Sequence, residues 1–114
     1  MKEIRFYRTP SGHCPVEDFL DSLPAKTAQK VVWVLQLIEE LATVPATYLK
    51  KLDGTDDLWE VRIQIGGRSV RLLGFFARRN LFVLNHAFFK KTNKTPEKHI
   101  KVAETRKRDY IRLN

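Results

Sequence analysis

The chain has 114 residues, of which 43% are hydrophobic and 30% charged, and its formal net charge is +8. This length predicts a single domain over residues 1–114, and the composition excludes the disordered and fibrous classes. With no apolar run long enough to span a membrane, no signal-peptide stretch and a single cysteine, Cys14, the sequence predicts a soluble cytoplasmic protein.

The first half of the chain predicts one strand and two helices. Residues 2–8 alternate as in a strand. Pro15 suits the first position of a short helix, which Pro24 ends. Apolar residues at helical spacing then predict a longer helix over about 25–43, just before Pro45.

The second half changes to the period of two that strands show. Its predicted elements are strands over 58–65, 68–77 and 81–89, turns at 66–67 and 78–80, and a last helix over about 96–112 with Thr95 as N-cap and Pro96 at its first position. The resulting order β-α-α-β-β-β-α predicts an α+β domain whose helices pack on one face of a mostly antiparallel sheet.

The positive charge is concentrated in the second half of the chain. Residues 1–47 contain five Lys/Arg and six Asp/Glu, whereas residues 48–114 contain sixteen and seven. An uneven field of this kind favours a polyanionic partner, usually nucleic acid.

The glycine pair at 66–67 predicts the register of a hairpin. A two-residue turn there sets Val61 opposite Leu72 and Arg62 opposite Arg71. Two like charges directly opposed destabilise a sheet unless a negative group lies between them, and guanidinium groups bind phosphate by paired hydrogen bonds. The register therefore predicts an anion site on the arginine face.

The turn at 78–80 decides which residues of the next strand share that face. With a two-residue turn they are His86, Phe88 and Lys90. With a three-residue turn they are Asn85, Phe89 and Lys91. Either length brings one lysine beside the arginines, and Lys50 and Lys51 precede the first hairpin strand, so we expect a basic groove on the sheet.

Each of these residues also has an ordinary structural interpretation. Arg62 could pair with Glu60 or Asp57 as a surface ion pair, and His86 could be a satisfied, half-buried residue. Phe88 and Phe89 suit the core, although one of them could stack a base. The three histidines and Cys14 lack zinc spacing, so we expect no metal and no cofactor.

Several segments together resemble a known family. The segments, in chain order, are TPSGHCPVEDFLDSLP, LKKLDG, LWEVRI, RSVRLLGFF and HAFFKKTNKTPEK. They are similar to the HigB-like toxins, in the phage-derived group of the RelE/ParE superfamily of bacterial type II toxin–antitoxin systems. The resemblance covers almost the whole chain.

The resemblance implies a RelE-like fold and an mRNA interferase. Such an enzyme is a metal-independent endoribonuclease that cuts messenger RNA in the A site of the 70S ribosome and so inhibits translation. It uses the 2′-hydroxyl of the substrate to attack the adjacent phosphorus. The implied partner is a HigA-like antitoxin with a helix-turn-helix domain.

The resemblance also assigns roles to residues of this chain. It implies Arg62, Arg71, Lys90 and Lys91 as catalytic residues and Lys50 or Lys51 as the lysine of the loop before the first hairpin strand. The residues themselves add His86 as a further catalytic candidate. The predicted RNA-binding residues are Lys50, Lys51, Arg68, Phe88, Phe89 and Lys94. Several RelE-type enzymes have a tyrosine near the end of the last strand, where this chain has phenylalanines, so the general base stays open between a lysine and His86.

Two other functions fit the same superfamily. One is a ParE-like inhibitor of DNA gyrase, which needs no phosphate-cleaving cluster. The other is a non-catalytic protein that binds RNA or the ribosome. A fold alone does not decide among them.

Overall fold

The computed structural model describes all of residues 1–114, and these form five strands and three helices. The elements are β1 (Glu3–Phe6), α1 (Pro15–Asp21), α2 (Ala25–Glu40), β2 (Leu49–Lys51), β3 (Trp59–Ile65), β4 (Arg68–Arg78), β5 (Leu81–Lys90) and α3 (Glu97–Leu113). They make an α+β domain with one mixed sheet of order β1-β5-β4-β3-β2. No helix has the length and apolar character needed to cross a membrane.

The prediction of four strands was wrong because it missed β2. This strand has three residues, two of them lysines, and pairs antiparallel with β3 at the edge of the sheet. Short charged edge strands resist pairing with other chains, and they lack the alternation that marks a strand in sequence. At the other edge β1 runs parallel to β5, so the sheet is mixed.

Helix α2 ends three residues before the predicted boundary. Its last helical residue is Glu40, and Leu41 is already extended. Thr43 and Val44 are β-branched, and Val44 also precedes Pro45, a position that disfavours helical backbone. These local preferences override the apolar periodicity that suggested a longer helix.

The helices cover both faces of the sheet, so the prediction that they pack on one face was wrong. Helices α1 and α2 lie over the face that carries Val61 and Leu72, where they form the main core. Helix α3 covers part of the opposite face, where Ala103 packs with Leu73 and Phe88. The polar residues of β3 therefore lie on the sheet face that α3 partly covers.

The predicted hairpin register is confirmed. Val61 pairs with Leu72 and Arg62 pairs with Arg71, and both glycines of the turn have positive φ. Because side chains alternate along a strand, Arg62 and Arg71 lie on the α3 face.

The β4–β5 register combines a two-residue turn with two compensating bulges. Arg78 pairs with Leu81, so the turn residues are 79 and 80. The pairing shifts once near Ala77 and shifts back at Asn85, and beyond that point Arg71 pairs with Phe88 and Ser69 with Lys90. The arginine face therefore carries Lys90, as a two-residue turn predicts, and not Lys91.

Helix α3 is held to the sheet and to the loop before β3. The Asn85 amide donates to the carbonyl of Ala103 at 2.9 Å. Lys107 donates to the carbonyl of Asp56 at 2.5 Å, and Glu104 accepts from the Asp56 backbone N–H at 3.0 Å. These contacts fix the helix that closes one side of the arginine face.

Candidate active site

A buried carboxylate, Glu60, lies at the centre of the arginine face. Its side chain has 0% exposure, and its Oε1 lies 3.1 Å from Arg62 Nε, 3.6 Å from Arg71 Nε and 3.7 Å from Lys90 Nζ. Its Oε2 accepts a hydrogen bond from the Thr95 hydroxyl at 2.5 Å. One negative charge thus holds three positive charges, and the group keeps a surplus of two. We call these five residues the Glu60 cluster.

The strand register explains why the cluster forms. Glu60 and Arg62 are two residues apart on β3 and so share a face. Arg71, on β4, lies opposite Arg62. Lys90 is the last residue of β5, the strand that pairs with β4 on its other side, and it lies on the same face. Thr95 lies on the segment between β5 and α3, where the chain passes back over Glu60.

Burial changes the proton affinity of Lys90. Its side chain is only 6% exposed, and its pKa is lowered, chiefly by burial, with Arg71 and Arg62 adding to the effect and Glu60 opposing it. A lysine in this environment gives up its proton more readily than one in water. Lys90 is therefore suited to proton transfer as well as to charge stabilisation.

Arg71 is also largely buried, at 13% side-chain exposure. Burial lowers its pKa, with Arg62 contributing and Glu60 opposing, but a guanidinium stays charged in proteins. One terminal nitrogen donates to the carbonyl of Val70 at 3.0 Å, whereas Nε has no hydrogen-bond partner. The arginine is thus fixed in place as a permanent positive charge.

A cavity of about 190 Å³ opens from the Glu60 cluster toward β2, and we call it the lysine cavity. Lys50 lies directly opposite Glu60 in the register of β2 and β3, so of the two β2 lysines it is Lys50 that shares the face of the Glu60 cluster. Lys51 instead forms an ion pair with Asp57, with 3.0 Å between Nζ and Oδ1. The cavity is lined by Lys50, Lys51, Leu52, Asp53, Glu60, Arg62, Lys90, Asn93, Lys94, Thr95 and Ile100.

Arg62 also borders a second pocket, of about 440 Å³, on its other side. This pocket is lined by Lys30, Thr47, Tyr48, Arg62, Gln64 and Arg71. A third cavity of about 430 Å³, beside the end of α3, contains none of the predicted site residues. No group of three or more His, Cys, Asp or Glu side chains is placed to hold a metal ion.

His86 lies under α3 with both ring nitrogens engaged. Its Nε2 is 2.8 Å from His99 Nδ1, and its Nδ1 is 3.2 Å from an Arg106 nitrogen. Its pKa is lowered to about 4 by burial, by Arg106 and by His99, in that order. His86 lines neither the lysine cavity nor the second pocket, which favours Lys90 over His86 for proton transfer.

The two phenylalanines of β5 face opposite ways. Phe88 is 5% exposed and stacks on His99 with ring centroids 3.8 Å apart, so it anchors α3 and offers no surface to a base. Phe89 packs on Phe19 of α1, and the Arg68 guanidinium lies over its ring at 4.9 Å. Phe89 and Arg68 therefore lie on the face opposite the Glu60 cluster, contrary to the groove expected from the sequence.

The two lysines at the end of β5 also separate. Lys90 is buried in the Glu60 cluster, whereas Lys91 is exposed beyond the strand. Lys94 is exposed at the rim of the lysine cavity. Of the eleven predicted residues, those that line one connected basic surface are Lys50, Lys51, Arg62, Arg71, Lys90 and Lys94.

Sequence reasoning missed the central role of Glu60 and misassigned Thr95. From the sequence, Glu60 is predicted only as a surface partner of Arg62, although opposed arginines call for a negative charge between them. Thr95 does not cap α3, because Pro96 occupies the N-cap position without a side-chain bond and the Thr95 hydroxyl is used by Glu60. The position of Glu60 on β3, two residues before Arg62, could have indicated its role. No pattern in the sequence indicates that Thr95 contacts Glu60.

The fold and the cluster define a basic α+β protein with a group of partly buried cations on one face of its sheet. The model of the phage-derived protein Gp49-like family (DUF891) matches residues 18–108, which is most of the chain, and the chain belongs to this family. The family is associated with the toxins of toxin–antitoxin systems. A comparison with curated proteins gives no match.

Proposed function

We propose that this protein is the toxin of a type II toxin–antitoxin system and acts as a ribosome-dependent mRNA endoribonuclease. The observation that carries the proposal is the Glu60 cluster, which keeps surplus positive charge at the base of a cavity with a lysine rim. Family membership supports the toxin role. The RelE-like character of the fold, inferred from the sequence resemblance, belongs to the same proposal.

The cluster suits cleavage of an RNA strand by its own 2′-hydroxyl. The 2′-hydroxyl gives its proton to water as its oxygen forms a bond to the adjacent phosphorus, and the bond from phosphorus to the 5′-oxygen of the next nucleotide breaks, which leaves a 2′,3′-cyclic phosphate. Arg62 and Arg71 hold the charge that develops on the phosphate oxygens, a type of stabilisation that supplies several kcal/mol. Lys90 gives its proton to the leaving 5′-oxygen, which its lowered pKa favours.

The proposed neutralising partner is a HigA-like antitoxin with a helix-turn-helix domain. The positive surplus of the cluster and the exposed lysines at the cavity rim favour an acidic segment as the element that covers the site. Such a segment would compete directly with RNA. Co-expression with the antitoxin is then expected to restore growth.

Two neighbouring lysines provide the test. We expect induction of the unaltered chain from a tightly regulated promoter to stop growth and to produce transcripts cut within codons. Lys90→Ala is expected to lower cleavage by 100-fold or more, on the order of an electrostatic catalytic group. Lys91→Ala removes the same charge one residue away, outside the cluster, and should retain cleavage within about threefold. Circular dichroism of both variants checks that they fold.

The possible outcomes separate the candidate functions. Growth arrest with intact transcripts would contradict the ribonuclease, and a supercoiling assay with purified gyrase would then test the ParE-like alternative. Salt-sensitive ribosome binding without arrest or cleavage would indicate a non-catalytic binder. Equal loss of cleavage in both lysine variants would mean that the cluster is not the active site.

A further inference from the structure

The second pocket beside Arg62 has a different character from the lysine cavity, and we call it the Tyr48 pocket. Its lining includes Lys30, Tyr48, Arg62 and Gln64. It combines an aromatic ring, an amide and a lysine in a volume of about 440 Å³. An aromatic face with a few directed polar groups suits a planar heterocycle better than a bare phosphate.

Strand β3 joins the two cavities into one track. Glu60, Arg62 and Gln64 follow one another at alternate positions and so share the α3 face. Arg62 borders both cavities, with the lysine cavity on the Glu60 side and the Tyr48 pocket on the Gln64 side. At about 3.3 Å per residue, the track from Glu60 to Gln64 is about 13 Å long. When one phosphate of an RNA strand lies at the Glu60 cluster, a neighbouring nucleotide of that RNA therefore reaches the Tyr48 pocket.

Tyr48 is held in position from two directions. Its carbonyl accepts a hydrogen bond from the Arg62 backbone N–H at 2.8 Å, which ties it to β3. Its ring meets Trp33 of α2 edge-on, with centroids 5.9 Å apart. The ring remains half-buried and lines the pocket, so it presents a fixed surface on which a base can stack.

The polar groups of the pocket present mainly hydrogen-bond donors. The Gln64 Oε1 is occupied by the hydroxyl of Ser69, its cross-strand partner, which leaves the amide nitrogen of Gln64 free to donate. Lys30 makes no ion pair or hydrogen bond in the structure, and an ammonium can only donate. Guanine offers two adjacent acceptors, O6 and N7, on one edge, and lysine is among their commonest partners.

We infer that the Tyr48 pocket is a nucleobase subsite that favours guanine, with Tyr48 as the stacking surface and Gln64 and Lys30 as the specificity-determining residues. The inference rests on the proposed function, because it takes the bound polymer to be RNA held at the Glu60 cluster. It adds a preference that none of the phosphate-binding residues provides. Phe88 is buried on the cluster face of β5, so it offers no stacking surface there, whereas the half-buried Tyr48 lines the pocket.

Binding of uncleavable RNA measures the preference apart from catalysis. The probes are fluorescent 2′-O-methyl trinucleotides of uridine, with guanosine introduced at one position at a time, and the readout is anisotropy at low salt with purified protein. We expect guanosine at one position to tighten binding by about tenfold, the size of one good base contact. Gln64→Ala should reduce that preference below about twofold.

Two further variants make the result specific. Gln64→Glu replaces a donor by an acceptor and should shift the preference from guanosine to cytidine, whose amino group donates. Gln36→Ala removes an exposed glutamine from α2, away from the pocket, and should leave every affinity unchanged.

The failure of the inference is distinguishable from failure of the proposed function. Equal affinity of the unaltered protein for all probes would overturn the base subsite while leaving phosphate binding intact. A guanosine preference that survives both Gln64 variants would also overturn it. No binding to any probe, together with intact transcripts in cells, would overturn both.

Discussion

Glu60 offsets the repulsion between the opposed arginines Arg62 and Arg71. Two guanidinium groups paired across strands repel each other, and a buried lysine beside them adds to the repulsion. The Glu60 carboxylate touches all three and is itself secured by Thr95. The cations are thus held at fixed positions by the protein itself, which is the arrangement that the proposed electrostatic catalysis requires.

Glu60→Gln is expected to destabilise the fold, because it leaves three cations facing one another without a counter-charge. Breaking a buried ion pair by removing one partner costs roughly 3–5 kcal/mol. Chemical denaturation at pH 7 measures the loss, and 50 mM sulfate should restore part of it by binding at the cluster. Asp53→Asn removes an exposed carboxylate from the same cavity and should change stability by less than about 0.5 kcal/mol. Equal effects of the two substitutions would contradict the central role of Glu60.

His86 is expected to make stability fall in mild acid. Its pKa is about 4 in the folded protein, against an ordinary value of about 6.5 when unfolded. The unfolded chain therefore takes up more protons between pH 6.5 and 4, so folding weakens as pH falls through that window and the effect levels off below pH 4. After allowance for solvent screening, the loss is roughly 1–2 kcal/mol.

Denaturation midpoints measured from pH 7.5 to 4 test this expectation. His86→Gln keeps a polar side chain but does not titrate, so its stability should fall less steeply, with His99 accounting for part of what remains. Gln36→Ala alters an exposed residue of α2 that does not titrate and should keep the original slope. Identical slopes for the unaltered protein and His86→Gln would refute the assignment.

Between β4 and β5, a pair of compensating bulges selects the lysine that enters the site. If the shift at Asn85 did not occur, Arg71 would pair with Ala87, and the arginine face would carry Phe89 and Lys91. The bulge lies beside Gly74, where a Cβ would come within 2.3 Å of the Val83 carbonyl oxygen. Close backbone approach of this kind is a recognised reason for glycine in a strand.

Gly74→Ala is expected to cost roughly 2–3 kcal/mol, because the added carbon meets backbone that cannot move aside cheaply. Thermal or chemical unfolding measures the cost, and RNA cleavage should fall as well if the shifted strand displaces Lys90. Gly12→Ala provides the comparison. That glycine has φ of 88° and open space around its Cβ position, so its replacement costs only the left-handed backbone penalty of about 1 kcal/mol. A Gly74 variant as stable as the Gly12 variant would show that the strands adapt freely.

The charge of the molecule is distributed asymmetrically, and the fold places most of the positive charge on one side of the sheet. The basic second half contributes β3, β4, β5 and α3, whereas the near-neutral first half contributes α1 and α2. The surplus therefore lies mainly on the α3 side of the sheet, where the Glu60 cluster and the exposed lysines are found. A field of this kind attracts polyanions before contact is made.

Under the proposed function, RNA binding is expected to depend strongly on salt. Neutralising about five phosphates of a single strand gives a slope of roughly −3.5 in log affinity against log salt, or a loss of about 100-fold between 50 and 200 mM. Lys50→Gln should reduce the slope by about 0.7, one phosphate contact. Lys26→Gln makes the same charge change at an exposed position on α2, and its slope should match that of the unaltered protein. A slope shared by all three proteins would place the RNA elsewhere.

Local patterns determined most of the elements and one complete register. Alternation in the strands, helical spacing in α2, prolines at helix ends and the glycine pair at 66–67 are properties of neighbouring residues, so the sequence alone predicted the Arg62–Arg71 pair. The sequence also limited the site to Lys90 or Lys91. These features depend on interactions a few residues long.

Only the tertiary structure decided which distant segments pair and pack against one another. The short edge strand β2, the parallel pairing of β1 with β5, and the placement of α3 on the second face depend on contacts across the chain. The same is true of Glu60, whose surroundings come from β4, β5 and the segment before α3. Burial and bulges emerge only when strands pack, because they reflect the fit between surfaces and not the preference of any residue. The choice of Lys90 over Lys91 therefore belongs to the fold.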